Sequence, residues 1–110
     1  MAQTWIIAID QVAGSETIAV QFTPSTLTVA VGDIIYWRNN DSNPHWPAPI
    51  VNGVIQPTNW MDYQIPGKLP DQPAPTSQQA VSFSGQTAST GLTYGCAITG
   101  DNETGTIIVA

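Results

Sequence analysis

Residues 22–41 read FTPSTLTVAVGDIIYWRNND, and this stretch decides the fold class. In residues 27–31 apolar side chains recur at every second position, since Leu27, Val29 and Val31 are separated by Thr28 and Ala30. A period of two is typical of strands that bury one face, whereas an amphipathic helix repeats every three to four residues. Gly32 and Asp33 then supply a turn signal. The stretch therefore predicts two short strands joined by a tight turn.

The same alternation extends to the rest of the chain. The predicted strands cover 5–10, 16–22, 26–31, 33–39, 50–55, 80–84, 92–97 and 106–110. Turn signals rich in glycine, asparagine and aspartate separate several of them, and no helical stripe is present. This pattern predicts an all-β fold, a Greek-key β-sandwich of seven to eight strands. A chain of 110 residues can bury a core of its own, so we expect one domain over residues 1–110.

Proline is concentrated in one part of the chain. Eight of the nine prolines lie between residues 44 and 75, and each removes a backbone donor and fixes one dihedral angle. Residues 56–79 are therefore predicted to form a long proline-rich loop excursion with at most an edge strand. Two interpretations of this segment stay open: an apolar flap over an open sheet edge, or a binding loop.

The charge balance excludes several classes of partner. The formal net charge is −6, and Arg38 and Lys68 are the only two bases, so no basic patch can neutralise phosphates and we expect no nucleic-acid partner. No apolar run approaches the roughly 20 residues of a membrane span. The stretch that begins at Met1 lacks the basic and apolar segments of a signal peptide. Low charge together with the apolar, proline-rich segment favours self-association.

Few side chains offer chemistry near neutral pH: one histidine, one cysteine and eight carboxylates. The carboxylates are Asp10, Glu16, Asp33, Asp41, Asp62, Asp71, Asp101 and Glu103. Most of them lie in predicted turns, where we expect solvation and bonds to the local backbone. The chain has neither a Gly-x-Ser-x-Gly elbow nor a glycine-rich phosphate loop, so we expect that it is not an enzyme.

His45 and Cys96 are the singletons of interest, since each follows or ends a predicted strand. An imidazole and a thiolate brought together by neighbouring strands would suit copper or zinc. Each residue also has a purely structural interpretation. A lone strand cysteine is commonly a small buried apolar residue, and a histidine between prolines commonly stacks in a turn, here beside Trp46.

Residues 22–41 resemble the first half of the cupredoxins, the plastocyanin-like blue-copper proteins. In that family an F-x-P-x-x-L-x-V-x-x-G-D-x-V-x-W-x-N segment leads into the loop with the first copper histidine, a position that His45 matches. Residues 94–96 and 105–109 resemble the other half, in which a Tyr-x-Cys strand leads through the ligand loop to a Gly-x-I/V-x-V strand. The resemblance implies a copper cofactor, electron transfer with a redox or protein partner, and a periplasmic or extracellular location.

The loop between Cys96 and Gly105 departs from the family pattern. Thr99 stands where the second copper histidine is expected, and Glu103 stands where the weak axial methionine is expected. No other histidine exists to replace the missing one, so an equatorial ligand is lost. The resemblance therefore implies an incomplete copper site with His45, Cys96 and Glu103 as metal ligands, or with water in the place of the carboxylate.

The alternative is a cupredoxin-like sandwich without metal that acts as a binding or assembly module. Trp46 and Trp60 lie in predicted loops, where exposed aromatic side chains would supply a contact surface.

Overall fold

The computed structural model describes residues 3–11, 20–78, 81–82, 88–98 and 103–109. Within these ranges the chain contains strands and no helix. The strands are β1 (Thr4–Gln11), β2 (Val20–Thr23), β3 (Thr26–Val29), β4 (Ile34–Asn39), β5 (Pro47–Val51), β6 (Val54–Ile55), β7 (Val81–Ser82), β8 (Ala88–Cys96) and β9 (Thr104–Val109). Strands β6 and β7 have two residues each, and the seven longer strands agree with the predicted number. A search of the same ranges finds no helix that could cross a membrane.

The strands form two sheets, with orders β2-β1-β4-β7 and β3-β9-β8-β5-β6. Two of the pairings are parallel, β1 with β4 and β3 with β9. The remaining pairings are antiparallel. The predicted all-β sandwich is confirmed.

The core lies between the two sheets. Ile7 and Trp37 of the first sheet and Tyr94 and Ile107 of the second are all fully buried in one cluster. Burial of a large apolar side chain contributes about 1.5–3 kcal/mol, so these alternating positions explain why the period-two pattern folds as it does. Trp60 stacks on Trp37 with ring centroids 5.1 Å apart.

Gly105 fixes the approach of β9 to the core. It is paired with Tyr94 across the β8–β9 ladder, and a Cβ atom at this position would lie 2.5 Å from Cζ of the Tyr94 ring. Only glycine leaves room for that ring. The pairing also brings the end of β8, at Cys96, opposite the start of β9.

The predicted strand 50–55 is wrong, since these residues form a hairpin. Asn52 and Gly53 have φ values of 53° and 79°, the left-handed conformation that two-residue hairpin turns require. Strand β5 precedes the turn and begins earlier than expected, at Pro47.

Strand β5 tolerates two prolines because of the side to which they face. In an antiparallel ladder, the N–H and C=O of one residue point to the same neighbour. The carbonyl of Trp46 accepts from Ala97 beyond β8, and that of Pro49 accepts from Gln56 beyond β6. Pro47 and Pro49 therefore face the edge where β6 is short, and no ladder bond to β8 is lost.

Residues 56–78 contain no strand, and their last part, at residues 75–77, runs along the edge of β4. Asn39 N donates to the Pro75 carbonyl at 2.8 Å, and Ser77 N donates to the Trp37 carbonyl at 2.7 Å. The hydroxyl of Ser77 accepts from Trp37 N at 3.0 Å. The backbone of residues 75–77 thus covers part of the edge of β4.

Candidate metal centre

The position of His45 is set by the backbone of the proline-rich segment. His45 N donates to the Ile65 carbonyl at 3.1 Å, and Ile65 N donates to the His45 carbonyl at 2.8 Å. Ile65 is fully buried and belongs to the core. The histidine is therefore anchored on both sides of its own backbone, and it is 3% exposed.

The turn between β4 and His45 is shaped by the buried amide of Asn39. Its Nδ2 donates to the carbonyls of Asn43 at 2.8 Å and Pro66 at 3.1 Å, and its Oδ1 accepts from Asp41 N at 2.9 Å. Gly67 lies so close to the Ser42 carbonyl that a Cβ atom there would collide with it. The turn and the proline-rich segment therefore pack as one unit.

Cys96 reaches the same place from β8. Its Sγ accepts a hydrogen bond from Trp46 N at 3.3 Å and lies 3.9 Å from Nδ1 of His45. Ala97 N donates to the Trp46 carbonyl at 2.8 Å, which ties the end of β8 to the histidine turn. The structure thus brings together the imidazole and the thiol that the sequence singled out.

Glu103 completes the cluster from the residue before β9. Its Oε2 lies 3.0 Å from Nδ1 of His45, and its side chain is 5% exposed. Among the described residues, this oxygen has no hydrogen-bond partner of good geometry. One donor atom each of His45, Cys96 and Glu103 lies within 4.8 Å of the others. Thr99, where the family's second histidine is expected, lies outside the described residues.

Asp41 contacts the other side of the imidazole. Nε2 of His45 donates to Oδ2 of Asp41 at 2.8 Å, and Nε2 of Gln11 donates to Oδ1 at 2.7 Å. The sequence interpretation of Asp41 as a solvated turn residue is wrong, since the residue is 1% exposed. The turn folds it inward, against the Nε2 edge of the ring. Its spacing of four residues before His45 was the available signal, but that spacing is common in turns without any such contact.

These neighbours determine the protonation of the ring. Burial lowers the pKa of His45, but the side chains of Cys96, Glu103 and Asp41 outweigh it and raise the pKa to about 11. For Asp41, burial raises the pKa, but the hydrogen bonds from His45 and Gln11 outweigh burial and hold the pKa below its usual value. The cluster is therefore built to hold positive charge at the imidazole.

The loop aromatic residues are packed rather than exposed. Trp46 is half-buried and its Nε1 donates to the Met61 carbonyl at 3.0 Å. Met61 is 2% exposed and belongs to the core. Trp60 is half-buried and stacks on Trp37, which also belongs to the core. The expectation that the two loop tryptophans supply an exposed contact surface is wrong.

An open pocket of about 300 Å³ lies beside two of the donors. Cys96 and Glu103 line it together with Ile50 and Ile55 of the β5–β6 hairpin. The same hairpin exposes Val54, whose side chain is 61% accessible. Two of the three donor residues thus line a solvent-facing depression beside isoleucines of the hairpin.

The comparisons with known proteins find neither a matching family model nor a matching curated protein. Solved structures do match. A purple cupredoxin from Nitrosopumilus maritimus is 22% identical over the whole of both chains, with a TM-score of 0.61. A pseudoazurin from Sinorhizobium is 18% identical with a TM-score of 0.55, over 98% of this chain and 74% of that one. The multicopper oxidase mgLAC is 16% identical with a TM-score of 0.64, over 99% of this chain but only 39% of its own. The two-sheet sandwich and these likenesses together show that the chain has the cupredoxin fold.

Proposed function

We propose that the protein binds copper through His45 and Cys96, with Glu103 as a third ligand, and acts as an atypical electron-transfer cupredoxin. The observation that carries this proposal is the convergence of three different donor types within 4.8 Å of one another. Imidazole and thiolate are ligands that copper prefers, and a carboxylate is a harder donor that favours the oxidised ion.

The donors fit such an ion in two further respects. The buried Oε2 of Glu103 lies 3.0 Å from Nδ1 of His45 in a contact that falls short of good hydrogen-bond geometry, and a metal ion bound between these atoms would replace the imidazole proton as the counter-charge of the carboxylate. The sulfur of Cys96 accepts a backbone hydrogen bond from Trp46 and lies 3.9 Å from Nδ1 of His45, and as a thiolate it would be a soft ligand of the kind that copper prefers. Copper, when bound, supplies one-electron redox chemistry.

The chain's contribution is to hold its donors in place. The backbone of His45 is paired with Ile65 on both sides, and Cys96 and Glu103 lie at the ends of adjacent, hydrogen-bonded strands. Donors on rigid elements keep their geometry when the charge of a site changes. An electron-transfer partner would approach the cluster at the pocket that Cys96 and Glu103 line.

A second candidate function follows from the contact between His45 and Glu103. At 3.0 Å the imidazole and carboxylate form a buried ion pair without any metal. Such a pair would serve as a structural link between the histidine turn and β9. In that case the protein is a metal-free sandwich used as a binding or assembly module.

Titration of the purified, reduced protein with Cu²⁺ separates the two functions. Copper binding through Cys96 gives an intense thiolate-to-copper charge-transfer band in the visible spectrum, and Cys96→Ser abolishes it while leaving the fold unchanged. The proposal fails if the parent shows no such band and binds copper no more tightly than Cys96→Ser.

A gain-of-ligand variant gives an independent reading of the same site. Thr99→His supplies the second imidazole of the family pattern, and we expect it to bind copper more tightly than the parent and with a stronger charge-transfer band. A variant that folds normally and gains no copper affinity would mean that the loop serves another role.

We further propose a single domain over residues 1–110, no enzymatic activity of its own, a redox or protein partner and a periplasmic or extracellular location. The cupredoxin fold and the resemblance at residues 22–41, 94–96 and 105–109 support these points. Self-association is tested by size-exclusion chromatography at two protein concentrations, where an elution volume that shifts with concentration is expected.

A further inference from the structure

We infer that Asp41, held by Gln11, positions the imidazole of His45 and strengthens it as a donor to an oxidised metal ion. The inference rests on the proposed metal-binding function and extends it to two residues outside the ligand set. Both residues lie on the side of the ring away from Cys96 and Glu103.

The geometry divides the two ring nitrogens between two tasks. Nε2 donates to Oδ2 of Asp41 at 2.8 Å, while Nδ1 lies 3.0 Å from Glu103 and 3.9 Å from the sulfur of Cys96. Because the proton on Nε2 is bonded to the carboxylate of Asp41, Nδ1 is the nitrogen that would release its proton to solvent and bind a metal in its place. In metal sites, a carboxylate that accepts from the second nitrogen fixes the tautomer and the orientation of the ring and raises its basicity.

The carboxylate of Asp41 is itself fixed by its surroundings. Oδ1 accepts from Nε2 of Gln11 at 2.7 Å. The backbone N–H of Asp41 donates to Oδ1 of Asn39 at 2.9 Å, and its carbonyl accepts from Lys68 N at 2.8 Å. With an exposure of 1%, the side chain meets little competition from water for the imidazole. These contacts hold the carboxylate in one orientation toward the ring.

The charge on Asp41 has a consequence that a neutral acceptor would not have. A negative group bonded to the ligand ring increases the electron density on the ring, which stabilises a divalent ion more than a monovalent one. Loss of the charge is expected to weaken divalent metal binding and to raise the reduction potential of bound copper.

The test compares Asp41→Asn with Asp10→Asn. The first substitution keeps the shape and an acceptor oxygen but removes the charge. The second is a matched control, because Asp10 precedes Gln11 on β1, accepts an exposed hydrogen bond from Asn40 at 2.7 Å, and gives the same change in net charge. The first measurement is the dissociation constant for Zn²⁺, a redox-silent probe, and the second is the copper reduction potential.

We expect Asp41→Asn to weaken Zn²⁺ binding by about 10- to 100-fold and to shift the copper potential to a more positive value. Asp10→Asn should change neither by a comparable amount. Equal effects of the two variants overturn the inference, because they would show only a change in overall charge.

The metal-free protein provides a reading that does not depend on metal binding. NMR of the imidazole should detect a downfield Nε2–H proton in the parent and in Asp10→Asn, and this proton should move upfield in Asp41→Asn. If the parent shows this signal but binds no metal, the proposed function fails while the positioning contact stands. If metal binds and the signal is the same in all three proteins, the inference fails alone.

A variant outside the turn guards against loss of folding. Gln11 is exposed, so Gln11→Ala leaves the core intact and removes only the bond that fixes Oδ1. It should weaken Zn²⁺ binding in the same direction as Asp41→Asn but by a smaller factor. Unchanged binding in Gln11→Ala would contradict the role assigned to Gln11.

Discussion

Oε2 of Glu103 and Nδ1 of His45 lie 3.0 Å apart on the side of the ring that faces Cys96. Without metal the two groups neutralise each other, and with metal both would be donors. The carboxylate is therefore expected to matter in both states, for different reasons.

In the metal-free protein, Glu103→Gln should lower the free energy of unfolding. The substitution removes one partner of a buried ion pair with the imidazole, a loss that typically costs about 3–5 kcal/mol. Urea denaturation of parent and variant in the presence of a chelator measures the difference. Asp62→Asn, which changes an exposed carboxylate, serves as the control. Identical midpoints for Glu103→Gln and the parent would show that the pair contributes nothing.

Ile65→Ala should destabilise the protein by about 2–5 kcal/mol, as is typical for removal of a fully buried isoleucine side chain. Leu69 lies in the same proline-rich segment but is 66% exposed, so Leu69→Ala should stay within about 0.5 kcal/mol of the parent. Chemical denaturation distinguishes the two. Similar small effects at both positions would mean that residues 56–78 are not part of the cooperative fold.

Gly67→Ala should destabilise the turn that carries the histidine. The new Cβ would collide with the Ser42 carbonyl, and because backbone has to move, a cost of about 1–3 kcal/mol is expected. Thermal unfolding measures it, with Ser42→Ala, a change at an exposed side chain, as the control. A variant as stable as the parent would show that the two segments are not in close contact.

Asp33 is expected to make stability depend on pH below neutrality. The backbone N–H groups of Gln3 and Ala30 and the indole of Trp5 hold the pKa of Asp33 below its usual value of 3.8, against the opposing effect of burial. A carboxyl whose pKa is lower in the folded state stabilises the protein above the unfolded pKa, and this contribution is lost as the pH falls through the folded pKa.

Asp33→Asn should therefore be less stable than the parent at pH 7, and the difference should shrink as the pH falls below about 3.8. Urea midpoints across that range provide the measurement. Asp71→Asn is the control, since Asp71 is exposed and has a φ of 62° that asparagine also adopts readily. A stability difference that stays constant with pH would show that folding does not lower the pKa of Asp33.

The fold was predictable from local pattern, and part of the site was not. Alternation at Leu27, Val29 and Val31 is a local property of the chain, and the structure turns it into β3 and the following turn. His45 and Cys96 were paired because they are the chain's one histidine and one cysteine and lie next to predicted strands, and the family resemblance, not their spacing, indicated that they lie close together. The burial of Asp41 depends on residues 65–68 packing over the turn, and a contact between segments so far apart in sequence leaves no local pattern.

Strand β5 shows a second reason for the limits of sequence analysis. Prolines at 47 and 49 argue against a strand whenever their orientation is unknown. Whether a proline fits in β5 depends on which neighbouring strand its missing N–H would face. For Pro47 and Pro49 this is the side of the short strand β6, which only the three-dimensional structure reveals. The sequence correctly indicates that Pro47 and Pro49 lack backbone N–H donors, but it does not reveal that the pairing of β5 with β8 needs no donor at these positions.

The parallel pairing of β3 with β9 has a consequence for the synthesis of the chain. Thr26 lies opposite Thr106 and Val29 opposite Val109, and among the described strands β9 is the only sheet neighbour of β3. On the ribosome, β3 therefore waits unpaired until residues 104–109 have emerged, and pairings of such long sequence separation form slowly. Cys96 and Glu103 are synthesised long after His45. The three-residue cluster cannot exist before residue 103 has been made, so an ion held by all three residues must be acquired in the last stage of synthesis or after it.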